Sequence, residues 1–250
     1  MPGEPHAAAG DRTVRGLAWA IRGLAGFLVV SLVTAAGLVV LIPLYGLPSP
    51  TRDQLVQLEG TLLLFSWVLL GLGVVSGLAY TVGLAGLWAT RREYGREHAV
   101  SVEQTLPWLA VTLVLLATAI AVPSLTGPFL TFPGVGSAPP DWTTTLGVVL
   151  AGLRAIFAGL TLYYAVQGLA EEDARVRLLL AMSLGVAGAV LWSGLATYAA
   201  GSGALTTESL LPFLAGILAG LGTSAISIVL FILVYREVRR DLETRHSAVP

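Results

Sequence analysis

Six long apolar stretches alternate along the chain with short polar ones, and they cover residues 23–45, 61–90, 107–125, 143–169, 178–200 and 209–235. At 1.5 Å of rise per residue each is long enough as a helix to cross roughly 30 Å of hydrocarbon. The pattern predicts an all-α integral membrane protein, a six-transmembrane-helix bundle in one domain over 23–235. A polar N-terminal segment (1–22) precedes it and a helical tail (236–250) follows. The run from Gly23 to Tyr45 is too long for a signal-peptide core and no small-residue cleavage site follows it, so the reading is a retained anchor.

The polar stretches carry their own signals. Ser49-Pro50 and the box from Thr51 to Gln54 predict a short surface helix, and Ser101 with Gln104 forms a capping box that would start the third long helix. The segment 124–142 is rich in proline and glycine and lacks a basic residue. It reads either as an interfacial loop anchored by Phe129, Phe132 and Trp142 or as a cap over the bundle. Glu171, Glu172 and Asp173 beside Arg175 and Arg177 read as a solvated turn with local ion pairs. In the tail, Asp241 and Arg245 make a favourable i,i+4 pair, so the sixth helix is expected to continue beyond the apolar run.

Charge then orients the pattern. Arg12, Arg15, Arg22, Arg91, Arg92, Arg96, Arg175, Arg177, Arg236, Arg239, Arg240 and Arg245 fall in alternate connections and at the two ends, whereas the other connections hold only Arg52. By the positive-inside rule both termini are cytoplasmic, in a multi-pass protein of a prokaryotic cytoplasmic membrane. Each even-numbered run ends in an aromatic followed by charge, a weak echo that three tandem hairpins would produce and that interfacial anchoring would produce as well.

Composition narrows the chemistry. Hydrophobic residues make up 55% and charged residues 12%, and mean hydropathy is +0.81, as in polytopic membrane proteins. A net charge of −1 with clustered charges presents no basic face for nucleic acid. No cysteine and no lysine occur, which excludes disulfides, thiolate metal sites and Schiff-base chemistry. His6, His98 and His246 lie in polar segments, so neither a haem within the bilayer nor a Ser–His protease can be assembled around Ser76 or Ser193. Gly71, Gly73 and Gly77 approach a nucleotide fingerprint without the strand it requires. The expectation is a protein that is not an enzyme and has no catalytic residues, cofactor or metal.

One feature resists a purely structural account. Arg154 sits near the middle of the fourth run, and Trp142 and Tyr164 bracket it about 33 Å apart along the helix, near one bilayer thickness. Translocon scales place the cost of a central Arg at about 2.5–3.5 kcal/mol. Thr34, Ser76, Thr118, Ser193, Thr223 and Ser224 lie at about the same depth, and no Asp or Glu does. Arg154 is expected to face the bundle interior with Leu150, Ala151, Phe157, Ala158 and Thr161, and to make polar contacts with another helix or a bound species. Helix packing is assigned to Gly73 and Gly77; to Ala151, Ala155 and Gly159; to Ala181 and Gly185; and to Gly216 and Gly220.

Two functions follow. The first is a membrane subunit or assembly factor whose partners are the lipid bilayer and another membrane protein, or a homo-oligomer. Here Arg154 or the tail, with Thr34, Ser76, Ser193, Thr223 and Ser224, would make ligand or partner contacts. The second is a small permease or channel for an anionic or zwitterionic solute held by Arg154.

Overall fold

The computed structural model describes residues 4–44, 51–121, 141–201 and 207–247. Among these every regular element is helical: α1 (Glu4–Leu44), α2 (Arg52–Ala89), α3 (Arg96–Ala121), α4 (Asp141–Gln167), α5 (Glu172–Gly201) and α6 (Thr207–Ser247). All six are long and apolar enough to cross a membrane. The segment expected to cap the bundle lies almost wholly outside the described residues.

Consecutive helices pair as antiparallel hairpins, α1/α2, α3/α4 and α5/α6, and the hairpins join along α1/α6 and α4/α5. The spatial order is therefore α2–α1–α6–α5–α4–α3, with every neighbour antiparallel. The row bends back so that its two end helices share the turn 90–95, yet α2 and α3 hardly touch along their lengths. Gly95, at φ 91°, makes that turn possible, because only glycine adopts such a backbone without strain.

The arginine-rich turns and the two termini lie at one end, here the basic end, and the core lies there as well. Leu17, Leu24, Leu87, Val166, Leu178, Phe231 and Tyr235 are all at most 2% exposed and belong to one cluster. Toward the opposite end large apolar side chains are exposed, among them Leu64, Trp67, Val75 and Leu113.

Four local expectations are corrected. The polar segment 1–22 is helical from Glu4. Thr13, Leu17, Ala20, Ile21 and Leu24 follow the i, i+4, i+7, i+8, i+11 rule and are buried, so these residues are bundle and not flank. No separate surface helix forms at Thr51 to Gln54, since α2 runs unbroken from Arg52. Ser101 does not cap α3, which starts at Arg96; its hydroxyl donates instead to the Tyr164 carbonyl of α4 at 2.5 Å. The charged groups near the basic end pair between helices, Arg177 with Glu237 at 2.8 Å and Arg175 with Glu97 at 3.7 Å. In the tail the i,i+4 pair is Arg239–Glu243, at 2.8 Å, and not Asp241–Arg245.

Candidate functional site

Glycine sets how closely the hairpins pack. In α1/α2 a methyl on Gly23 would lie 2.6 Å from the Tyr80 amide nitrogen, and one on Gly83 would lie 2.5 Å from that of Ala20. In α5/α6, Gly220 backs onto the Trp192 amide and Gly185 onto the Ser227 hydroxyl. Such strips let backbones approach and gain dispersion contacts in a medium without a hydrophobic drive between helices. Gly159 packs on Met182 and Gly216 on Leu195. Ala151 and Ala181 are buried, and Ala155 is half-buried. Gly73 differs: a side chain there would meet nothing within 4 Å, and at Gly77 it would meet only the Phe27 ring, at 3.8 Å.

Most of the hydroxyls at the depth of Arg154 serve their own helices or these seams. Thr34 donates to the Val30 carbonyl at 2.7 Å, Ser76 to Leu72 at 2.7 Å and Thr223 to Ala219 at 2.7 Å. Ser76 also packs against Gly26, and Ser224 against Gly188. Ser193 is buried on α5, and the side chain of Thr118 lies outside the described residues. None of the described hydroxyls among them is hydrogen-bonded to Arg154.

Arg154 itself stands on the buried face of α4. Ala151, Thr161 and Ala165 share that face and are buried, whereas Val149, Leu153 and Ile156 form the exposed stripe on the other side. One turn toward the basic end, Phe157 stacks on Trp108 of α3 with ring centroids 5.6 Å apart. The guanidinium is half-buried and has no hydrogen bond or ion pair to another described residue. The expected polar contact with a neighbouring helix does not form among them.

Two polar clusters escaped the sequence reading. The first is a relay across three helices, in which Tyr80 of α2 and Tyr235 of α6 are hydrogen-bonded at 3.1 Å. The Tyr235 hydroxyl donates to the Leu162 carbonyl of α4 at 2.8 Å, so Tyr80 is the donor to Tyr235. The second lies at the turn joining α2 and α3. His98 is fully buried, its ring edge-on to Tyr94 at 5.8 Å. Its backbone abuts Gly168, where even a methyl group would clash. Among the described residues both His98 ring nitrogens are buried without a hydrogen-bond partner. Burial also raises the Tyr94 phenol above its ordinary pKa. Neither cluster has a motif: the relay joins tyrosines 155 residues apart, and the Tyr94–His98 pair, though local, is sealed by Gly168 from a distant turn.

The fold and these sites define a helical bundle with six helices apolar enough to span a membrane, the build of a polytopic membrane protein. No protein-family model, curated protein or solved structure matches the chain.

Proposed function

We propose that the chain is a six-span protein of a prokaryotic cytoplasmic membrane, with its basic end and both termini in the cytoplasm. It serves there as a non-catalytic subunit or assembly factor that binds another membrane protein. The observation that carries this reading is Arg154, on the buried face of α4 without a counter-charge among the described residues, while hydroxyls at its depth are given to helix carbonyls and seams. A permease would need those hydroxyls free to line a path. An unpaired cation in hydrocarbon is costly, and a partner's acidic group would remove that cost.

The test is co-purification of the full-length protein from its native membranes, together with solute flux in liposomes holding the protein alone. A stoichiometric membrane-protein partner should be retained by the wild type and by Arg175→Leu and lost with Arg154→Leu. Arg154-dependent anion flux in liposomes without any partner would overturn the assignment in favour of a permease.

A further inference from the structure

Beyond the Tyr80–Tyr235–Leu162 relay, the faces of α2 and α3 lose their packing at the height where α4 carries Arg154. On α2, Gly77 and Gly73 lie three and seven residues further from the basic end than Tyr80, within about 60° of its direction at 100° per residue. They pass from slight contact to open space. On α3 the partly buried Leu109 packs against the core, whereas Leu113, one turn on, is 54% exposed. On α4, Arg154 lies eight residues beyond Leu162, about 12 Å, and Gly73 lies about 10 Å beyond Tyr80. The relay is thus the floor of a groove whose walls are a glycine strip and a face carrying a cation without a partner among the described residues. Because α2 and α3 barely touch beyond their turn, the groove opens sideways.

We propose that this groove receives one apolar helix of a partner protein, carrying an Asp or Glu that meets Arg154. The proposal rests on the partner-binding reading above and specifies where and by what chemistry the partner is held. Two glycines four residues apart admit a helix backbone at close range, a fit that neither a lipid chain nor a small solute requires. A cation at this depth selects a carboxylate, by charge and by bidentate hydrogen bonding. A second copy of the chain cannot supply it, since no Asp or Glu lies in the middle of any apolar run.

The absence of native cysteine permits a direct test with single cysteines in the full-length protein, reconstituted in phosphatidylcholine liposomes. The probe is a synthetic Leu/Ala transmembrane helix with a central Glu, or Gln as control, and a cysteine one turn away. The Glu peptide should bind about tenfold tighter than the Gln peptide, and Arg154→Leu should abolish the difference. Gly73→Leu should weaken both peptides. Disulfides should form with Leu70→Cys and Leu113→Cys, and not with Val149→Cys or Leu153→Cys on the exposed stripe of α4. Equal affinity for the two peptides overturns the proposal. So does cross-linking of Leu70→Cys to Phe132→Cys that blocks the peptide, which would make the chain's own segment the occupant. If instead a native partner is retained through Arg154 but cross-links only at Val149→Cys, the groove is wrong and the partner-binding reading stands.

Discussion

The Tyr80 hydroxyl donates to that of Tyr235 at 3.1 Å, and the Tyr235 hydroxyl in turn donates to the Leu162 carbonyl at 2.8 Å. The two side chains are 155 residues apart in sequence, and together with Leu162 they tie α2, α6 and α4 at one level. Tyr235→Phe removes both bonds and strands the buried Tyr80 hydroxyl, a loss of about 1–3 kcal/mol. Tyr80→Phe removes one bond and leaves the other, so its loss should be smaller. Unfolding in mixed micelles, followed by circular dichroism, would rank the two; the reverse order would refute the direction of the relay.

Glycine-to-alanine changes should split in sign. At Gly23 a methyl would press on the backbone of α2, so Gly23→Ala should destabilise by about 1 kcal/mol or more. At Gly73 there is room, and alanine gains roughly 0.5–1 kcal/mol in helix propensity. The same unfolding measurement would show whether both variants move in one direction, which would contradict the assigned packing.

His98→Leu should leave the protein as stable as the wild type or more so. The imidazole contributes two buried nitrogens without partners, and an apolar side chain of similar size removes that penalty, about 1–3 kcal/mol for one unsatisfied group. A fall in the melting temperature would mean that the ring has a partner in solution.

For the protein alone in a bilayer, Arg154→Leu should raise stability, by up to about 3 kcal/mol on translocon scales, while abolishing association. Arg175→Leu breaks a 3.7 Å pair whose Glu97 side chain is 85% exposed and a 3.0 Å hydrogen bond from the Arg175 Nε to the Ala170 carbonyl, and should cost about 1 kcal/mol. Steric trapping in bicelles would measure both. A destabilised Arg154→Leu would place its counter-charge within the chain.

Reporter fusions after residues 97, 134, 173 and 205 should read inside, outside, inside and outside. Two adjacent fusions on one side would remove a span and with it the proposed orientation.

The number of helices was legible because six apolar runs separated by charge leave little choice. Helix limits were less so: α1 starts at Glu4 because Leu17, Ile21 and Leu24 continue a stripe through a segment whose arginines had marked it as a flank. Ser101 looked like a cap, yet Gly95 breaks the chain first, which leaves the hydroxyl mid-helix to reach Tyr164. For the site, the sequence placed Thr34, Ser76 and Thr223 at the right depth but could not say which way each faced. A hydroxyl's nearest acceptor in an apolar medium is its own helix carbonyl four residues back, and that is where these three donate. The tyrosine relay needed knowledge of neighbours that periodicity does not contain.

Because α6 lies between α5 and α1, two helices remote in the chain are adjacent, and one core holds Leu17 of the one and Leu242 of the other. A nascent chain can close its hairpins one at a time, but the seam that unites them exists only once the ribosome has released α6. Until then the flank of α1 that α6 covers is exposed, which would mark a chain stalled before residue 207 as incomplete.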